Sequence, residues 1–162
     1  MTEVIADNPK KTKPTDKVSV DKNNKHPSQS YTLTPSTGSD PWVLKTASGE
    51  SFDDFEVEFL GIPKDEDIPS NFKATINITV PDGWSFSGEG YQYCDGSDDP
   101  YGDVKSKIKG KGDNELEFTV QFNGKVKDKN RGVATVSFQF VCEHKGKVYH
   151  SPDPRLGIGR NP

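Results

Sequence analysis

The sequence predicts an all-β chain: a two-sheet antiparallel β-sandwich, immunoglobulin-like in arrangement, behind a disordered N-terminal tail. Three observations predict it. Apolar and polar residues alternate with period two in four long runs, turn-forming residues separate the runs, and every aromatic residue lies at or after position 31. A jelly roll is the second architecture that fits this pattern.

The tail comes first. Residues 1–30 hold no Phe, Tyr or Trp, and their apolar content is essentially Met1, Val4, Ile5, Ala6, Val18 and Val20. Burying so little cannot offset the ordering entropy of the backbone, about 1–2 kcal/mol per residue. Residues 1–30 are therefore expected to be a disordered, polar segment, and residues 31–162 a single sandwich domain. The tail carries six lysines against four acids, net +2, which leaves −6 for the rest of the chain. Mixed signs, no Arg and no ring to stack on a base argue against nucleic acid as its partner.

The strands follow. Phe55, Val57 and Phe59 alternate with Asp54, Glu56 and Glu58, and Ala74, Ile76, Ile78 and Val80 with Lys73, Thr75, Asn77 and Thr79. Leu116, Phe118, Val120 and Phe122 alternate with Glu115, Glu117, Thr119 and Gln121. Ala134, Val136, Phe138, Phe140 and Cys142 make the longest run. Each reads as a strand with one apolar and one polar face, in residue types that a pleated surface favours. Shorter runs near Trp42–Thr46, Trp84–Phe86, Tyr91–Cys94, Val104–Lys109, Lys147–Ser151 and Leu156–Ile158 raise the total to about nine or ten strands. Pro81-Asp82-Gly83, Gly110-Lys111-Gly112-Asp113-Asn114 and Lys145-Gly146 supply turns between them.

One hairpin can be paired from the sequence. Lys105, Lys107, Lys109 and Lys111 share one face, and Glu115 and Glu117 lie across the glycine-rich turn. Antiparallel pairing would bring Lys107 or Lys109 opposite Glu115 or Glu117. The lysine row reads as protection of an exposed edge strand, with an anion-binding stripe as the functional alternative.

Residues 133–142, 147–149 and 153–158 resemble the closing strands of many small bacterial immunoglobulin-like domains. The resemblance implies the sandwich and nothing about activity.

No nucleophile elbow, zinc-protease helix, P-loop or dinucleotide fingerprint is present, so the chain is expected not to be an enzyme. No apolar stretch approaches the ~20 residues of a membrane span. Met1-Thr2-Glu3 lacks the basic start of a secretory signal, which makes a cytoplasmic location the default expectation. Cys94 and Cys142 either meet across the sandwich or stay apart. If Tyr91 and Tyr93 point outward, Cys94 points inward toward Cys142.

Residues 83–103 are the most distinctive stretch, with five aromatics, five glycines and five acids. Trp84, Tyr91, Tyr93 and Tyr101 are the candidate contact residues, since aromatic rings beside carboxylates hold sugars and rings amid Ser and Gly hold proteins. Asp95, Asp98, Asp99 and Asp103 crowd one loop, and calcium, which takes six to eight oxygens, is the cation they would suit. The expected function is a non-enzymatic binding or structural module contacting a protein or carbohydrate through the 84–103 region. A carbohydrate-binding or calcium-dependent lectin-like module is the alternative.

Overall fold

A computed structural model describes residues 3–5, 14–62, 66, 68–94, 102–122, 134–152 and 154–161. In chain order the strands begin with β1 (Glu3–Ile5), β2 (Thr15–Val20), β3 (Ser28–Thr34), β4 (Val43–Thr46), β5 (Ser51–Phe52), β6 (Asp54–Leu60) and β7 (Lys73–Thr79). They continue with β8 (Ser85–Tyr93), β9 (Val104–Lys109), β10 (Glu115–Gln121), β11 (Ala134–His144), β12 (Lys147–His150) and β13 (Arg155–Asn161). Among the described residues there is no helix.

The strands form two packed sheets. One runs β1-β12-β11-β13-β6-β2, with β8 also paired to β11, and the other runs β5-β4-β3-β7-β10-β9. The apolar members of each alternating run face the space between the sheets. Rings from both sides meet there: Tyr31 of β3 against Phe55 of β6 at 5.2 Å, Phe118 of β10 against Phe138 of β11 at 5.6 Å, and Phe59 of β6 against Phe122 at 5.8 Å. The fold is a β-sandwich, as its sequence predicts.

Two expectations need correction. The sheets are not purely antiparallel, because β1 with β12, β13 with β6, β2 with β6 and β3 with β7 all pair in parallel. Alternation of side chains is the same whichever way a strand runs, so the sequence pattern carries no direction. Nor do the described residues among 1–30 stay outside the sandwich. β2 pairs with β6 from Thr15↔Asp54 to Val20↔Phe59, and Val18 and Val20 are buried in the core. After β2 the Asp21 carboxylate accepts the N–H groups of Asn23 at 2.8 Å and Asn24 at 2.7 Å, an Asx turn that leads the chain toward β3. Within what reads as a disordered polar segment, Thr15–Asn24 form an edge strand and its turn.

β2 is also tied to the opposite sheet. The Tyr31 hydroxyl, buried on β3, donates to the Asp16 carboxylate at 2.5 Å. Burial first, then the bond to Asp16 and its negative charge, push the phenol up from its ordinary value of 10.0. Burial alone pushes the Cys142 thiol up from 9.0. Both groups are held protonated by the folded state more strongly than by the unfolded chain. Their contribution is complete below the unfolded values and is lost as pH rises past them. Urea midpoints are therefore expected to hold near neutrality and to fall above about pH 9–10. Tyr31→Phe should start about 1 kcal/mol lower at pH 7, with Asp16 left without its donor, and should decline less steeply above pH 10. An equal alkaline slope in the variant would show that Tyr31 is not the titrating group.

β12 and β13 run one after the other along a single edge of β11. His150 pairs with Val141, Ser151 N–H donates to Phe140 O at 3.0 Å, Phe138 N–H donates to Pro154 O at 3.1 Å, and Arg155 then pairs with Ser137. Pro152 and Pro154 have no N–H to give a ladder. The buried Ser151 hydroxyl covers the gap, accepting from Phe140 N–H at 2.8 Å and donating to Pro152 O at 2.7 Å.

Candidate functional site

A cleft among the described residues lies at one end of the sandwich, where β7 turns into β8. Trp84 N–H donates to Pro81 O at 3.1 Å, closing a four-residue turn. Its third residue, Gly83, has φ +88°, which a side chain would strain. The turn is clipped to the β9–β10 turn, which belongs to the sheet of β7 and faces the start of β8. Val80 N–H donates to Asn114 O at 3.0 Å and Phe86 N–H to Asp113 O at 2.8 Å. Between the two turns lies an open cleft of about 300 Å³, lined by Asp82, Gly83, Trp84, Ser85, Lys111, Gly112 and Asn114.

Trp84 is half-buried and firmly held. The His144 ring, at the end of β11, stacks on it with centroids 4.5 Å apart and an interplanar angle of 12°. His144 is fixed in turn by Nδ1, which donates to Gly83 O at 2.8 Å, since a carbonyl can only accept. Tyr149 of β12 meets Trp84 at 5.2 Å and Trp42 meets it edge-on at 6.1 Å. Trp42 belongs to the second sheet's side of the fold, so four rings bridge the two layers. The Trp42 indole N–H is buried with no acceptor among the described residues.

The other sequence candidates fall elsewhere. Tyr91 stands opposite Phe140 on β11 and so shares its inward face. Its ring meets Phe118 at 5.1 Å, Phe138 at 6.2 Å and Tyr93 at 5.5 Å. Tyr91 and Tyr93 are half-buried and pack against the core, away from Trp84's cleft lining. Asp103 is only 1% exposed, and its backbone carbonyl accepts Gln121 N–H at 2.8 Å. Tyr101, Asp95, Asp98 and Asp99 lie outside the described residues. Among the described residues no group of three or more His, Cys, Asp or Glu is placed to hold a metal.

With the tyrosines inward, Cys94 does not meet Cys142. Its N–H bonds to Ser137 O at 3.0 Å, whereas Cys142 stands further along β11 between Phe86 and Tyr149, and no disulfide joins the two. Being buried and held protonated, Cys142 is expected to react with a thiol reagent only when the protein unfolds. Labelling followed by peptide mapping checks this, and labelling of native Cys142 at the rate of a free thiol would contradict it.

The lysine row takes the structural role. β9 is the edge of its sheet, Glu115 pairs with Lys109 and Glu117 with Lys107. Lys109 reaches Glu117 at 2.8 Å and Glu115 at 3.7 Å, and the bond to Glu117 is the leading cause that raises its pKa. Such exposed pairs add little stability, and their value here lies in keeping a bare edge charged.

Sequence reasoning finds Trp84 but misses its partners. His144, Lys111 and Asn114 come from the other hairpins, and His144 is 61 residues from the carbonyl it holds. No spacing rule connects them. Among the described residues no helix is long and apolar enough to cross a membrane.

A search of curated proteins finds no match to the chain. A family model does match, and its span takes in β2, the Trp84 turn, the Lys111 turn and most of β13. Matched in this way over residues 5–160, the chain belongs to the DP-EP family.

Proposed function

We propose that this chain is a non-enzymatic binding module that meets its partner at the Trp84 end of the sandwich. The observation that carries the reading is Trp84 itself, half-buried, backed by the stacked His144 ring and opening on the cleft between two turns. An aromatic side chain held rigid before binding loses little entropy when it is covered, and such residues dominate binding energy. His144 spends its Nδ1 proton on a backbone carbonyl. Among the described residues it bonds to no serine, cysteine or carboxylate, which favours binding over acyl-transfer chemistry. The inward turn of Asp103 takes one of four carboxylates off the loop surface and speaks for a metal-free mode.

The test is selection of ligands from a peptide display library and a glycan array, followed by titration of wild type, Trp84→Ala and Thr75→Ala. Ligands selected on wild type are expected to bind Trp84→Ala about 30-fold more weakly and Thr75→Ala equally well. Thermal melts check that both variants fold. Undiminished binding to a folded Trp84→Ala, or turnover of the bound ligand, would overturn the reading. A calcium titration read by amide shifts tests the lectin-like alternative, which needs shifts clustered at residues 95–103.

A further inference from the structure

We propose that the cleft beside Trp84 is a subsite for a neutral saccharide, an inference that rests on the binding reading above and names its ligand class. The argument begins with the charge of the lining. Asp82 and Lys111 are its two ionised side chains, one of each sign, so the cleft carries no excess for an anion or a cation to seek. The remaining polar side chains are the Ser85 hydroxyl and the Asn114 amide, each able both to donate and to accept. Together they match a ligand whose own polar groups do both, and sugar hydroxyls are such groups.

The apolar part of the lining is a single indole. A peptide side chain or a lipid would ask for several apolar contacts, whereas a pyranose offers one apolar patch of C–H groups and a rim of hydroxyls. Trp84 supplies a surface for that patch, and the two turns supply the hydroxyl partners around it. At about 300 Å³ the cleft lies at the small end of ligand sites, room for a mono- or disaccharide and for little else.

The cleft is also fixed before binding. The backbone bond from Phe86 to Asp113 ties its walls together across the two sheets, and the bond from Val80 to Asn114 extends the β7–β10 ladder on one side. His144 holds both the ring of Trp84 and the carbonyl of Gly83. Gly83 and Gly112 are part of the lining without side chains, and Gly112 has open space where a Cβ would stand. A hydroxyl can thus approach the backbone there.

The experiment is a titration of the full chain with N,N′-diacetylchitobiose, cellobiose, maltose and lactose. Glucuronic acid and glucosamine serve as charged controls, and the readouts are amide shifts and tryptophan fluorescence. At least one neutral disaccharide is expected to shift the amides of Asp82–Ser85 and Lys111–Asn114, and neither charged control should bind more tightly. Asp82→Asn should weaken that sugar about tenfold, the loss of one hydrogen bond to a charged group. Lys111→Ala, in an exposed turn, serves as a second variant whose folding is not in question, with the same expected direction.

Three results would overturn the assignment. They are tighter binding of a charged control, sugar shifts confined to another surface, and no shifts from any of the four disaccharides. If a selected peptide then shifts the Trp84 and Lys111 amides, binding at this end stands and only the ligand class falls. If that peptide shifts other residues, the binding reading falls with it.

Discussion

Replacing Val20 by Asp is expected to unfold the protein. Val20 is fully buried at the end of β2, opposite Phe59 of β6. The substitution gives up about 1.5–3 kcal/mol of apolar burial. It also places a carboxylate in the core, where an unpaired charge costs several kcal/mol more. The sum approaches the whole 5–15 kcal/mol of a typical domain. Had residues 1–30 been a solvated tail, the same change would move stability by no more than about 0.5 kcal/mol. The two views thus differ by an order of magnitude at one position. Lys22→Asp, two residues later in the exposed turn, is the control and should be near neutral. Far-UV circular dichroism and urea titration of the three chains decide the matter, and a native Val20→Asp protein with an unchanged midpoint would remove β2 from the fold.

Gly90→Val is the second large effect. Four residues of β8, Ser87 to Gly90, stand opposite the single Val141 of β11, so β8 bulges between Phe86 and Tyr91. At the end of the bulge Gly90 is buried with φ +85°, a conformation costing a residue with a Cβ about 1–2 kcal/mol. A Cβ there would lie 2.9 Å from Leu116 Cδ1, 3.2 Å from Leu116 Cδ2 and 3.4 Å from Phe86 Cδ1. Leu116 is fully buried on the opposite sheet and has no open side to retreat to. Overpacking of this kind adds about 1–3 kcal/mol, and the branched Val more than Ala. The expected loss is about 3–5 kcal/mol from the two causes together. Gly88→Ala separates them, because Gly88 has φ +63° but nothing within 4 Å of its would-be Cβ. It should cost the backbone share alone. Equal urea midpoints for Gly88→Ala and Gly90→Ala would show that the sheets are not in close contact at Leu116.

How much of this was legible follows from where each signal resides. Phe55-Val57-Phe59 and Leu116-Phe118-Val120 announce their strands because each buries one whole face, and a period of two is a property of the strand alone. The Lys109–Glu115 pairing was legible because a short turn fixes register locally. β2 was not, for Val18 and Val20 are only two apolar residues in a polar stretch. An edge strand needs no more, since β6 supplies its hydrogen bonds and most of its cover. The Tyr91 face depended on its register with β11, which a bulge of four residues shifts and which no local pattern records. At the candidate site, Trp84 was visible as an unusual residue among glycines. The stack with His144 and the facing Asn114 turn arise only from how the two sheets are laid together.

The parallel pairings around β6 have a mechanical consequence. β2 and β13 flank β6 and run in the same direction, each joined to it over six residue pairs. The chain enters β2 at Thr15, at one end of this three-strand ribbon, and leaves β13 at Asn161, at the other. A pull applied to those two points is directed along the strands. It slides β2 and β13 past β6 in shear, so the rungs on each side share the force and must yield together. An antiparallel hairpin at the same place would open like a zipper, one rung at a time and under far less force. The strand that looks like a loose end of the sequence thus sets how this sandwich would resist a pull along β6.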